Sequence, residues 1–400
     1  MDIEKQIEFL RRGVAEIVSE AELRQKLLRA QTEGEPLRIK LGLDPTAPDI
    51  HLGIVVVLKK LRQFQDLGHL VYIVIGDFTA MIGDPSGKSE TRRPLSPPEI
   101  SENAKTYAEQ YNKFLDPEKT KVVFNSQWLG KMDFAEVIRL ASRQTIARVL
   151  ERDDFSRRIK EGRPIGIHEI LYPLCQGYDS VVLKADVELG GTDQKFNILT
   201  GRDLQREFQQ EPQVAFLMPI LAGLDGIQKM SKSLGNYVGV DEPPSQIYGK
   251  IMSISDDLMP QYFELLTDIP LSQIEPILVD HPREAKKKLA REIVTMCYSQ
   301  KMALQAEEEF ENIFQKKGVP ENIPEIVIPH SKLKDGKIWI VNLLTHTRMV
   351  NSRSEARRLI EQGGVSINQH RIIGSDQDVF IGDQCILRIG KTKFVRVIVQ

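Results

Sequence analysis

Leu37-Arg38-Ile39-Lys40-Leu41, the run from Leu52 through Val55, Val56, Leu58, Leu61 and Phe64, and Val71-Tyr72-Ile73-Val74-Ile75 decide the reading of the fold. The first is an apolar strand that leads into a turn-rich stretch with Asp44, Pro45 and Pro48. The second has the apolar spacing of a helix and stops at Gly68, where a left-handed residue is chemically easy. The third is apolar throughout and rich in β-branched residues, as expected of a parallel strand covered on both faces. Strand, helix, strand in this order predicts a doubly wound α/β domain. Such sheets bind ligands in the crevice beyond the carboxyl ends of their strands, where the two distinctive loops described below leave.

Outward from that unit, residues 2 to 30 read as helical. Residues 96 to 210 read as mostly helical, with a strand-like run at Val181-Val182-Leu183, and Phe216 to Leu221 reads as a further buried strand. From Pro243 to Pro329 the chain is again helical, with Lys286, Lys287 and Lys288 on a solvated face. Pro320 to Pro329 reads as a linker. Beyond it, the arginine-rich helix around Ser352 to Arg358, the Gly363-Gly364 turn and short β-like runs make a compact α+β tail.

At 400 residues, 41% hydrophobic and 28% charged, the chain is a multi-domain globular protein and neither fibrous nor disordered. Its net charge of -2 does not announce a nucleic-acid partner. Residues 341 to 400, however, hold seven Arg and two Lys against two Glu and three Asp, a net +4. Such an asymmetry suits phosphate binding, and a solvated helix face is the plainer alternative. Cys175, Cys297 and Cys385 are too far apart in sequence for a zinc knuckle or redox pair and read as buried thiols. The charged N-terminus lacks the apolar stretch of a signal peptide, and no apolar run would span a bilayer, so the cytoplasm is the expected location.

Three segments carry chemistry. Lys229-Met230-Ser231-Lys232-Ser233 places two ammonium groups on a small-residue loop that can close over a triphosphate and neutralise charge on departing pyrophosphate. Asp44-Pro45-Thr46-Ala47-Pro48-Asp49-Ile50-His51-Leu52-Gly53 puts a histidine at a helix entry, where N–H groups favour phosphate, and a glycine where a flat base can approach. Tyr172, Gln176 and Asp179 are spaced to share one helix face, where their polar groups need partners that a bound amino acid would supply. Gly83-Asp84-Pro85-Ser86-Gly87-Lys88 is not a P-loop, because only three residues separate its glycines.

Together these motifs resemble the class I aminoacyl-tRNA synthetases and, among them, the tyrosine-tRNA ligases. The resemblance covers nearly the whole chain. It implies a Rossmann-like catalytic domain at 1–240 with a helical insertion at about 96–190, a helical anticodon-side domain at 241–335, and an S4-like RNA-binding domain at 336–400. It implies attachment of L-tyrosine to tRNA(Tyr) in two steps through tyrosyl-adenylate, with ATP and Mg2+ as the substrate complex and no protein-bound structural metal. His51 and Gly53 would stabilise the transition state, and Lys229 and Lys232 the pyrophosphate. Asp44, Thr46, Gly191, Asp193, Met230 and Ser231 would join His51, Gly53 and Lys232 around ATP.

The tyrosine site would comprise Asp84, Tyr172, Gln176, Asp179 and Gln194, with Tyr172 and Gln176 at the α-amino group and Asp179 accepting the phenol proton. Lys88 would touch ATP or tRNA. Arg353, Arg357 and Arg358 would meet tRNA phosphates without an evident aromatic platform. The resemblance also implies a homodimer with the insertion at its interface, and no membrane. Asn125 and Trp128 fit a small family pattern or an ordinary surface turn.

Two positions depart from the family pattern. Ile54 stands where a second signature histidine belongs, which slows adenylation or transfers the task to another group. Lys40 stands where many tyrosine ligases carry a second phenol contact. A tryptophan-activating relative and a non-catalytic RNA-binding protein on a decayed synthetase are the rival readings. Asp179 and the S4-like tail oppose the first, and Ile54 with the basic tail motivates the second.

Overall fold

The computed structural model describes residues 1–45, 49–84, 97–314, 323–350, 352–368, 370–390 and 393–400. Thr46 and Lys88 lie outside them. The chain forms two units, Met1–Ala306 and Glu307–Gln400.

The first unit is built on a six-stranded sheet of β1 (Glu16–Val18), β2 (Arg38–Leu43), β3 (Leu70–Ile75), β4 (Thr120–Phe124), β5 (Val187–Gly191) and β6 (Val214–Met218), in the order β1-β6-β5-β2-β3-β4. All neighbours run parallel except β1 against β6. The chain steps from β2 outward through β3 to β4, then returns to the other side of β2 at β5. The reversal of direction lies between β2 and β5, where a doubly wound sheet opens its crevice.

The helix Leu52–Asp66 forms because Leu52, Val55, Val56, Leu58, Leu61 and Phe64 bury one continuous face. Its run of three valines is poor in helix propensity, so packing must hold it. Phe64 meets Phe216 of β6 edge to face at 5.5 Å, and Gly68, at φ 94°, turns the chain into β3.

Two helices set the other wall. Ile167–Leu183 begins at Gly166, whose N–H is capped by Glu169 at 2.8 Å, and ends at the left-handed Lys184. Against it packs Lys195–Glu207. The two backbones touch at Gly177 and Gly201: a Cβ on Gly177 would sit 3.1 Å from the Gly201 nitrogen and 2.9 Å from Leu204 Cδ1.

The structure departs from the sequence expectation at four places. Residues 2 to 30 are two helices, Ile3–Arg11 and Glu20–Glu33, separated by β1. Val181-Val182-Leu183 is the last turn of a helix, and the strand is β5, because Lys184 stops the helix only after the apolar run. Residues 96 to 210 also contain β4, whose five residues alternate weakly and leave Val122 and Phe124 partly exposed. Lys287 is buried and pairs with Glu284 at 3.3 Å, while Lys286 pairs with Asp256 at 2.6 Å.

The second unit holds a five-stranded sheet, β10-β9-β12-β13-β7, from β7 (Glu325–Ile328), β9 (Val365–Ile367), β10 (His370–Arg371), β12 (Gln384–Ile389) and β13 (Lys393–Val399). A smaller pair joins β8 (Lys337–Trp339) to β11 (Asp378–Phe380). Helices Ile340–His346 and Arg353–Glu361 bury Ile340, Val341, Leu344, Ala356 and Ile360 in a core shared with Val365, Leu387 and Val397. The stretch read as a linker therefore contributes β7, parallel to β13. Among the described residues no helix is long and apolar enough to cross a membrane.

Candidate active site

A cleft of about 880 Å³ opens at the carboxyl ends of the parallel strands. Asp44 follows β2, Gly76 follows β3, Asn125 follows β4, Gly190 and Gly191 end β5, and Pro219 follows β6. The cleft brings together Asp44, His51, Gly53, Asp84, Tyr172, Gln176, Asp179, Gly191, Asp193, Gln194, Lys229, Met230, Ser231 and Lys232. Ile54 and Asn125 also line it. Arg353, Arg357 and Arg358 belong to the other unit and are exposed.

The acidic end is ordered from beneath. The Tyr172 hydroxyl donates to Asp44 Oδ2 at 2.7 Å and Thr79 Oγ1 donates to Asp44 Oδ1 at 2.8 Å. A Cβ on Gly76 would fall 2.0 Å from that same Oδ1, so a side chain there would displace the carboxylate. Burial, with Asp44 and Asp84 nearby, holds Tyr172 well above the usual phenol range, so it remains a donor. Gln194 donates to Asp84 Oδ2 at 2.8 Å and accepts from Asn197 Nδ2 at 3.0 Å.

Asp179 is buried, and its Oδ1 accepts from Trp128 Nε1 at 2.8 Å and its Oδ2 from Asn125 Nδ2 at 3.4 Å. Burial pushes its carboxyl up to about 7, against the opposing pull of Lys40, Trp128 and Asn125. Asn125 and Trp128 are thus not a surface turn. Asn125 is fully buried, and both side chains serve Asp179. No local sequence rule connects β4 to the Ile167–Leu183 helix; only the sheet order brings them together.

At the other end His51 caps the Leu52–Asp66 helix through its backbone conformation, without a side-chain cap. Its ring Nδ1 is buried and has no hydrogen-bond partner among the described residues, and burial together with Lys229 lowers its pKa to about 4. The imidazole is therefore neutral at physiological pH. Lys229 Nζ lies 3.3 Å from Asp193 Oδ2, and Lys232 pairs with Asp49. The loop is held from inside by Asn236, which accepts from the Ser231 N–H at 2.9 Å and donates to Asp225 Oδ2 at 2.8 Å. Asn236 escaped the sequence reading although it lies three residues past the motif.

In the second unit, Ser352 caps the arginine helix by accepting from the Glu355 N–H at 3.1 Å. The guanidinium carbons of Arg353 and Arg357 lie 5.9 and 5.6 Å from the Trp339 ring centre. An aromatic residue is present after all, and it orients arginines.

Comparison with known proteins follows this division of the chain. The family described as tRNA synthetases class I (W and Y) matches residues 32–315, and the Tyrosine--tRNA ligase SYY-like C-terminal domain matches residues 321–397. The tyrosine-tRNA ligase of Moorella thermoacetica is 57% identical over 402 residues, spanning 99% of this chain and 96% of that protein. That of Carboxydothermus hydrogenoformans is 55% identical over 408 residues, spanning 100% and 99%. Among solved structures, tyrosyl-tRNA synthetase from Archaeoglobus fulgidus, complexed with L-tyrosine, aligns with a TM-score of 0.61 at 24% identity. It covers 76% of this chain and 99% of its own. That likeness is one of fold. The chain belongs to the tyrosine-tRNA ligases, within the class I tRNA synthetases of the tryptophan and tyrosine type.

Proposed function

We propose that this chain attaches L-tyrosine to tRNA(Tyr) through tyrosyl-adenylate, releasing pyrophosphate and AMP, with Asp179 reading the phenol. The observation that carries the reading is the buried Asp179 carboxylate in the cleft, whose two side-chain partners among the described residues, Asn125 and Trp128, are both donors. Each carboxylate oxygen accepts two hydrogen bonds, so acceptor capacity remains for a phenol O–H. Phenylalanine leaves that capacity unmet, and tyrosine-activating synthetases are themselves the standing example of rejection by this means. Asp84, Tyr172, Gln176 and Gln194 bind the rest of the amino acid. Asp44 reaches both groups, being assigned to ATP and bonded to Tyr172.

ATP enters as its magnesium complex, held by Thr46, His51, Gly53, Gly191, Asp193, Met230, Ser231 and Lys232. The tyrosine carboxylate attacks the α-phosphate, and the P–O bond to pyrophosphate breaks. His51 acts as an uncharged N–H donor, so charge neutralisation falls to Lys229 and Lys232. The tRNA ribose hydroxyl then attacks the adenylate carbonyl and AMP leaves. No side chain acts as nucleophile, since positioning and electrostatics suffice.

A catalytic domain at 1–240 with a helical insertion, a helical domain from 241 and an RNA-binding domain that, with β7 in its sheet, begins ahead of the 336 read from the sequence serve these steps in the cytoplasm. The working form is a homodimer. Phe134, Ile138, Ile146 and Ile167 are 80%, 53%, 64% and 76% exposed, an apolar display that a second copy would cover. Phe134→Asp should therefore give a monomer by light scattering; a dimer of unchanged stability would refute this assignment.

Exchange of labelled pyrophosphate into ATP tests activation directly. Tyrosine alone should support it, and phenylalanine and tryptophan should not. Asp179→Ala should reduce kcat/KM for tyrosine by about tenfold or more, the cost of an unmade hydrogen bond to a charged group. Because Asp179 is protonated below about 7, kcat/KM for tyrosine should rise with pH through that value, and Asp179→Asn should abolish this limb. Absence of exchange with every amino acid, with tRNA still bound, would favour the RNA-binding remnant.

Lys229→Ala and Lys232→Ala should each lower the exchange kcat by roughly a hundredfold or more, as for removal of one charge-stabilising donor, with tyrosine affinity retained. A parallel loss of tyrosine binding would assign the lysines to the ground state. For the tail, Arg353→Ala, Arg357→Ala or Arg358→Ala should each reduce the slope of log affinity for tRNA against log salt by roughly 0.7–0.9. An unchanged slope would return the arginines to a solvated face.

A further inference from the structure

Lys40 and Glu188 stand directly opposite each other on β2 and β5, at the point where the strand order reverses. Both side chains are about 1% exposed, and Lys40 Nζ lies 3.0 Å from Glu188 Oε1. The remaining protons of the ammonium go to the Gln176 carbonyl at 2.8 Å and Ser180 Oγ at 2.7 Å, which satisfies all three. Glu188 in turn accepts from Gln176 Nε2 at 3.1 Å, from Ser180 Oγ at 3.0 Å and from Gln213 Nε2. Space for this network is kept by Gly201, where a Cβ would lie 2.7 Å from Gln213 Nε2 and 3.1 Å from Ser180 Oγ.

Neither member of the pair lines the cleft, but Gln176 and Asp179 do. We propose that Lys40 and Glu188 are a positioning pair for the tyrosine subsite, acting through Gln176 and Asp179 without touching the amino acid. The Glu188 carboxylate fixes the direction of the Gln176 amide, and Lys40 fixes its backbone. The pair also surrounds Asp179 with opposed charges. The charged and titratable groups that bear on Asp179 are Lys40 from β2, Glu188 from β5, and Tyr172 and Cys175 from its own helix; Trp128 and Asn125 add neutral donors. Lys40 favours the ionised carboxylate and Glu188 opposes it. A lysine thus takes the place of a second phenol contact by supporting the first. This inference rests on the assignment of Gln176 and Asp179 to tyrosine.

The test measures tyrosine-dependent pyrophosphate exchange by the full-length enzyme across roughly pH 5.5 to 8.5, the range in which an acid limb near neutrality is resolved. Lys40→Met should move the acid limb of kcat/KM for tyrosine to higher pH and raise KM for tyrosine on the order of tenfold, the cost of unpairing buried polar groups. KM for ATP should stay unchanged. Glu188→Gln should move the limb to lower pH, because one negative charge is gone while the size of the side chain is kept. Opposite displacement by the two variants is what a merely structural pair would not produce. Should Lys40→Met fail to fold, the near-isosteric Glu188→Gln carries the sign test alone. A limb that disappears in Asp179→Asn but stays in its wild-type place in folded pair variants overturns the pairing. A limb that survives in Asp179→Asn overturns the Asp179 assignment and the pairing together.

Discussion

Glu188 is a carboxylate on an inner strand of the sheet, out of reach of water, and everything that packs over it must supply either a proton donor or a positive charge. Lys40 comes from the adjacent strand, Gln176 and Ser180 from the Ile167–Leu183 helix, and Gln213 from the approach to β6. One buried group therefore fixes the relation of two strands and a helix at the place where the cleft opens. The close approach of the two glycines follows from the same need, because the second helix must pass near enough to seal the network without filling it. Replacing such a pair with apolar residues often stabilises a fold. Its retention under a polar cleft makes sense when orientation of the groups above it matters more than stability.

Above that floor the cleft separates its charges. Asp44, Asp84 and Asp179 line the cleft and, on the proposed reading, offer acceptors to an amino acid's ammonium and hydroxyl, while Lys229 and Lys232 pair with Asp193 and Asp49. A triphosphate bound as proposed would take over those lysines by offering more negative charge than a single carboxylate does. The loop does not have to be built for the purpose, because Asn236 and Asp225 already hold its backbone. Such an exchange of partners would cost side-chain motion and little refolding, which would suit the proposed grip on pyrophosphate and its release.

How much of this was legible in the sequence depended on range. The Leu52–Asp66 helix and β3 were readable because their apolar spacing is local. Tyr172, Gln176 and Asp179 share a face because helix geometry alone dictates it. β4 was missed because an edge strand with half-exposed Val122 and Phe124 has no clean alternation. Val181 to Leu183 misled because β-branched residues inside a packed helix look like a strand when burial is unknown. Asn125, Trp128 and Asn236 do their work across β4, the cleft and the loop, and no spacing rule spans those distances. Lys40 was recognisable as a departure, and its partner Glu188 became visible only with the register of β2 on β5.

The other departure, Ile54, also changes meaning once the geometry is known. An imidazole at a buried helix entry beside Lys229 is depressed to neutrality, as His51 is. Ile54 lines the same cleft one turn further along the helix and offers no proton donor there. On the proposed reading, Ile54 leaves the electrostatics of the phosphate site to Lys229 and Lys232, both of which line the cleft. On these grounds the substitution alters the strength of a contact, and it leaves the chemistry of adenylate formation in place.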